Sequence, residues 1–237
     1  LALGHNQAVG DGAVTLNPSR AGLVLNTGVT LTNDLIFTAG TLAGYGTFDP
    51  GNLVTITVGA GRAVLPGFPD QDLTPTGTLT LAADVAFADA GAYKWGLQDA
   101  DSSEGFSRLL ITGNLDLTSL SAGAFSFDIA TFDANGDLGL ANLTLGASYS
   151  LPILQTTGTI NGFSSSLFTI DATNFQNGTF PLTTFTLSTD LGNQIMYLNF
   201  TAVPEPSTWA LMLTGAASLA FAARRRRAVA RHPKFKI

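Results

Sequence analysis

Apolar and polar residues alternate in short runs along most of the chain. Val54-Thr55-Ile56-Thr57-Val58, Leu115-Asp116-Leu117-Thr118 and Phe125-Ser126-Phe127-Asp128-Ile129 each put every second side chain on one face, the period of a half-buried strand. Related phrases, each a glycine followed by alternation, recur at Gly28-Val29-Thr30-Leu31-Thr32, Gly77-Thr78-Leu79-Thr80-Leu81 and Gly113-Asn114-Leu115-Asp116-Leu117. Their glycines lie 49 and 36 residues apart, which predicts a solenoid of degenerate repeats with uneven loops rather than a regular propeller. A β-sandwich is the alternative all-β arrangement. Longer apolar strands around 149–154, 180–187 and 195–200 predict a terminal cap over the open edge of the stack.

The rhythm changes at the C-terminal end. Ser207 to Ala223 is a run of 17 residues without a charge, at the lower limit for crossing a bilayer core. Trp209 stands near one end, Leu211, Leu213, Leu219 and Phe221 supply the apolar side chains, and Arg224, Arg225, Arg226 and Arg227 follow at once. An indole suits the headgroup region and an arginine cluster stays on the cytoplasmic side, so one transmembrane helix is expected with the body translocated. Pro204 and Pro206 keep the segment before it extended and unable to join a helix ladder.

Composition sharpens this division. Hydrophobic residues make up 45% of the 237 and charged ones only 12%, enough apolar material for a sizeable core. The 26 glycines, with abundant threonine and leucine, suit strands joined by tight turns. Residues 1–202 carry net charge −12 and residues 203–237 net +6. With only Arg20, Arg62, Lys94 and Arg108 as bases, the acidic body is unsuited to nucleic acid, whose binding needs clustered cations that release counterions. The absence of cysteine removes disulfides, thiolate nucleophiles and cysteine-ligated metals. Leu1 to Gly12 has neither a basic start nor an apolar run, so an incomplete N-terminus is expected.

Candidate chemistry is sparse. His5 and His232 are the two histidines, one at each end, so neither a Ser-His-Asp triad nor a histidine-ligated zinc assembles readily. Asp133-Ala134-Asn135-Gly136-Asp137 places oxygen ligands at alternating positions as calcium loops do, but Leu138 and Thr144 stand where such a loop needs glycine and a bidentate acid. A solvated Asx turn is the expectation there, with Asp133, Asn135 and Asp137 the weak metal candidates. Asp99, Asp101 and Glu104 could supply a carboxylate pair, and are expected instead to be an exposed acidic loop. Tyr93, Trp95, Phe106, Phe125 and Phe127 could form a sugar-stacking strip, although Phe125 and Phe127 alternate as core residues do. No catalytic residue and no cofactor are expected.

Val203-Pro204-Glu205-Pro206-Ser207-Thr208-Trp209-Ala210-Leu211, the apolar run and the four arginines together resemble a PEP-CTERM sorting signal of Gram-negative bacteria that make exopolysaccharide. The resemblance implies that Pro204, Glu205 and Pro206 are recognised by an exosortase-type membrane protease, that 207–223 is a transient inner-membrane anchor, and that Arg224 to Arg227 stop transfer. The body, through Gly40 to Thr47, Leu65-Pro66-Gly67, Gly77 to Leu81, Tyr93-Lys94-Trp95 and Leu109 to Gly113, resembles the strand-rich passenger repeats of autotransporter-like proteins. That resemblance implies an irregular right-handed parallel β-helix, interrupted by a longer loop between Gly67 and Gly77.

The organisation expected is an extracellular strand-rich domain over 1–202, the sorting signal over 203–227 and a basic cytoplasmic tail over 228–237. The function expected is a non-enzymatic surface or matrix protein associated with exopolysaccharide, held at the inner membrane as a precursor and then released to the surface or medium. A β-helix enzyme acting on polysaccharide would differ in gathering carboxylates or bases on one exposed strand face. An adhesin would show a flat apolar or aromatic patch.

Overall fold

A computed structural model of the chain describes residues 1–6, 8–17, 21–51, 55–67, 75–177 and 184–202, with Thr214, Gly215, Ala217 and Ser218. Its early strands are β1 (Ala2–Leu3), β2 (Val14–Leu16), β3 (Gly22–Leu25), β4 (Thr30–Leu31), β5 (Leu35–Phe37), β6 (Gly40–Gly44) and β7 (Thr47–Phe48). Next come β8 (Thr55–Val58), β9 (Arg62–Pro66), β10 (Thr78–Leu81), β11 (Asp84–Phe87), β12 (Ala92–Leu97), β13 (Arg108–Ile111) and β14 (Leu115–Asp116). The last are β15 (Phe125–Thr131), β16 (Ser148–Thr156), β17 (Ile160–Asn161), β18 (Phe168–Asn174), β19 (Thr186–Asp190) and β20 (Ile195–Thr201), with one 3-10 turn at Ser165–Leu167. The fold is all-β and its sheets are built mainly from parallel strands.

From β3 onward the sheets take every third strand. The first sheet runs β1-β3-β6-β9-β12-β15-β18, the second contains β4-β7-β10-β13-β16, and the third runs β8-β11-β14-β17. Each strand is short, from two residues in β1 to nine in β16. The burial of β10, β11 and β13 alternates between half-buried and buried residues, and β15 repeats that pattern over seven. Parallel register then sets like on like. Leu23, Leu42, Val64, Tyr93 and Phe127 are successive partners on the inner face of the first sheet. Ile56, Val85, Leu115 and Ile160 do the same in the third. One cluster of buried residues extends from Leu3 to Phe200.

The repeat is uneven. Gly22, Thr41, Ala63, Ala92, Ser126 and Thr169 form one register column, so the chain uses 19, 22, 29, 34 and then 43 residues between successive partners. The glycine phrases do not mark equivalent positions. Those at Gly28 and Gly77 lead into β4 and β10 of the second sheet, whereas that at Gly113 leads into β14 of the third.

Corners are tied by polar side chains stacked between layers. Asp84 Oδ1 accepts from the backbone N–H of Asn114 at 2.7 Å and from its Nδ2 at 3.1 Å. Asn114 Oδ1 in turn accepts from the N–H and hydroxyl of Thr159, each at 3.0 Å. Close approach demands glycine at Gly44, where φ is +108° and a Cβ would overlap the Leu25 carbonyl oxygen.

At the C-terminal side the direction reverses. β20 lies antiparallel to β16, pairing Leu198 with Leu151, and β19 lies antiparallel to β20. These two strands cover the edge of β16 and pack Tyr149, Phe175, Phe185 and Phe200 into an aromatic cluster with centroid distances of 5.0 to 5.8 Å. The loop expected to protrude between Gly67 and Gly77 falls largely on 68–74, outside the described residues.

Candidate functional site

The outward face of the first sheet carries a row of charges. Lys94 on β12 is in register with Asp128 on β15, and Asp128 with Asp171 on β18. All three line a cleft of about 590 Å³, together with Asp137 and Asn174. Leu65, Pro75, Phe132 and Leu138 make its apolar wall. The bridge between Phe132 and Leu138 closes the 133–137 loop, whose Gly136 and Asp137 also line the cleft.

The two strand carboxylates are held by neighbours on their own strands. Side chains at i and i+2 share a face, so Ser126 Oγ donates to Asp128 Oδ1, and the Thr173 hydroxyl and N–H donate to Asp171 Oδ1 at 2.6 and 2.9 Å. The Thr173 hydroxyl, then its N–H, hold the Asp171 carboxyl below its ordinary range against a small opposing effect of burial. Among the described residues, Lys94 makes no ion pair or side-chain hydrogen bond, the Arg108–Glu104 contact being a separate one at 3.1 Å.

Asp133, Asn135 and Asp137 form a turn closed on itself. Asp133 Oδ1 accepts from the N–H of Asn135 at 2.8 Å and of Asp137 at 3.2 Å, while the Asp133 N–H donates to the Asp137 carbonyl at 2.9 Å. The Asn135 N–H is the main cause of the lowered Asp133 pKa. Among the described residues no three His, Cys, Asp or Glu side chains are grouped to hold a metal ion.

The Asp99 to Glu104 segment is also a turn. Asp99 Oδ1 accepts from the Asp101 N–H at 2.9 Å, and Glu104 pairs with Arg108, leaving an exposed loop beside a second, shallower depression. The aromatic strip is corrected by burial. Tyr93, Trp95, Phe125 and Phe127 are at most 1% exposed and Phe106 is 6% exposed, so none offers a ring face to a sugar. Alternation sends Tyr93 and Trp95 inward together, where the Tyr93 hydroxyl donates to the Ile153 carbonyl at 2.5 Å and Trp95 Nε1 to that of Ser107 at 2.7 Å.

Lys94, Asp128, Asp171 and Asn174 were not candidates in the sequence. Lys94, Asp128 and Asp171 each occupy a polar position of an alternating strand, Asn174 is brought beside them by an irregularity that pairs it with Ala130, and Lys94 is one of only four bases before residue 203. Those signals place them outward, but only register places them together.

Pro204, Glu205, Pro206, Trp209, Leu211, Leu213, Leu219, Phe221 and Arg224 to Arg227 lie outside the described residues. Within the expected anchor, Thr214, Gly215, Ala217 and Ser218 are helical, and Ser218 Oγ donates to the Thr214 carbonyl at 2.8 Å. Among the described residues no helix is long and apolar enough to cross a membrane.

A strand-built acidic body is followed by a basic C-terminal segment of the class that carries a sorting signal. The particular signal is a PEP-CTERM protein-sorting motif, whose family model matches residues 202–227. That motif is the recognition signal for exosortase processing and marks the chain as an exosortase-sorted extracellular or surface protein. No curated protein matches the chain.

Proposed function

We propose that the protein is a structural component of the cell surface or extracellular matrix of a Gram-negative bacterium, delivered by exosortase processing at Pro204 to Pro206. The sorting motif at 202–227 is the observation that carries this reading. In it, 203–227 is the signal, 207–223 a transient inner-membrane anchor, Arg224 to Arg227 the stop-transfer cluster, and 228–237 a cytoplasmic tail that is discarded. Residues 1–202 are the exported domain, which associates with exopolysaccharide.

We read that domain as a right-handed parallel β-helix rather than a β-sandwich. The recurrence of every third strand in parallel register supports it, since sandwiches pair antiparallel strands. Its hand follows from the near-universal right-handed crossover between parallel strands of one sheet.

A second reading, a polysaccharide-acting enzyme, is favoured by the gathering of Asp128, Asp137 and Asp171 in one cleft. Glycoside hydrolysis needs one carboxyl kept protonated as the acid. Thr173 holds Asp171 toward its ionised form, which suits the role of nucleophile or base and not that of the acid; binding without cleavage is the reading proposed.

Intact-mass analysis of the exported protein from an exosortase-containing host, beside its Glu205→Ala variant, tests the sorting reading. Loss of the tail near Pro206 from the unaltered chain, with retention in the variant, is expected. Retention of 207–237 in both would make the protein a permanently anchored surface protein.

A further inference from the structure

We propose that the cleft on the outward face of the first sheet binds a linear oligosaccharide that carries no acidic groups, lying across the strands. This deepens the matrix reading and rests on it for the source of the ligand.

The first supporting feature is the spacing of the strands. Partners in adjacent parallel strands stand about 4.8 Å apart, so Lys94, Asp128 and Asp171 form a track running along the stack, one polar group per layer. That step is close to the length of one sugar ring. A chain of sugars lying along the track meets one polar group at each ring.

The second is donor and acceptor chemistry. Asp128 and Asp171 each use Oδ1 on a hydroxyl of their own strand, which orients the carboxylate and, among the described residues, leaves Oδ2 without a protein partner. Lys94 supplies an ammonium with no ion-pair partner among the described residues, and Asn174 an amide with both a donor and an acceptor. Sugar hydroxyls, which both donate and accept, satisfy such a mixed set. A divalent cation does not, because the three carboxylates of the cleft are not grouped closely enough to hold a metal ion.

The third is the wall. Pro75, Phe132 and Leu138 give the cleft an apolar side on which the C–H faces of sugar rings can pack. Leu138 is 54% exposed and so has apolar surface left to cover. The fourth is charge. Three carboxylates face one ammonium in the cleft, and residues 1–202 carry net −12. Uronic-acid or sulfated chains are repelled, while neutral and amine-bearing chains are accepted.

Titration calorimetry on the full chain, in a zwitterionic detergent that carries no sugar, tests this with cello-oligosaccharide, chitosan oligosaccharide and oligogalacturonate as probes. Binding of the first or second and not the third is expected, weakened at least tenfold by Asp128→Ala with Asp171→Ala. An unchanged melting temperature in that variant separates loss of the site from loss of the fold. A Leu138→Ser variant, which leaves every charge in place, is expected to weaken binding several-fold. Absence of binding by both non-acidic probes, preference for oligogalacturonate, insensitivity to the aspartate substitutions, or shortening of the probe on chromatography overturns the proposal. Each of these outcomes is independent of whether the tail is removed in the exosortase host.

Discussion

The early and late parts of the body share the same parallel sheets and, read as coils of the β-helix proposed above, differ in how much chain each coil uses. Between Gly22 and Ala63 the chain uses 19 and then 22 residues per layer, little more than the strands and their corners. Between Ala92 and Thr169 it uses 34 and then 43, and the surplus becomes the 98–107 and 132–147 loops. The early coils are therefore mostly scaffold, and the late coils carry the cleft. In the parallel β-helix proposed above each layer would contact only its neighbours, so a late coil could lengthen outward without disturbing the inner columns.

If that division holds, truncating an inner side chain of an early coil should produce the largest effect. Phe48 on β7 is fully buried. Phe48→Ala is expected to cost about 3–5 kcal/mol through lost burial and the cavity left behind. Leu140, in the late 132–147 loop and 65% exposed, is expected to change stability by less than about 0.5 kcal/mol when replaced by alanine. Chemical denaturation of the two variants checks the pair, and equal losses would break the comparison.

Glycines give the next largest contrast. Gly44 and Gly136 both have positive φ, +108° and +86°. At Gly44 a side chain would overlap the Leu25 backbone in the neighbouring layer, whereas at Gly136 its nearest neighbour is the Pro75 ring at 3.4 Å. Gly44→Ala is expected to cost about 3 kcal/mol and Gly136→Ala about 1 kcal/mol, the second being backbone strain without the overlap. Thermal unfolding of both variants measures the difference.

The early coils were also the less legible in sequence. Strand character was readable wherever alternation was strict, as at Thr55 to Val58 and Phe125 to Ile129, and these became β8 and β15 with their apolar residues inward. β5 and β7 hold only three and two residues, too few for a period to show, whereas β4 was legible through the alternation that follows Gly28. Repeat length could not be read because it changes at every layer. The same variation hid the cleft, since Lys94, Asp128 and Asp171 become neighbours only through a register set by loops of different lengths. The sorting motif was legible because its signal is local, a proline pair, an apolar run and four arginines in fixed order. The turn at Asp133 was legible for the same reason, its partners lying within four residues.

Acid should sharpen the contrast by the smallest margin. Asp89, Asp116, Asp133, Asp171 and Asp190 are all held below the ordinary carboxylate range by hydrogen bonds, led by the Ser121 N–H for Asp89, the Thr118 hydroxyl for Asp116 and the Asn193 side chain for Asp190. A depressed folded pKa contributes stability that is fully present above the unfolded value, about 3.9 for aspartate, and is lost as pH falls through the folded one. Stability is therefore expected to be insensitive to these groups from pH 7 to about 5 and to decline below about 4. All five lie at or beyond residue 89, in the late coils or the strands that cover them. Acid should accordingly loosen the cleft loops and the β19–β20 pair before the columns between Leu23 and Val64. Hydrogen exchange measured by segment at pH 6 and pH 3 tests this, with protection expected to fall at 116–137 and 171–195 while 22–66 holds. Uniform loss would mean that the layers unfold as one cooperative unit in acid, and the division between scaffold and elaborated coils would then describe geometry without describing stability.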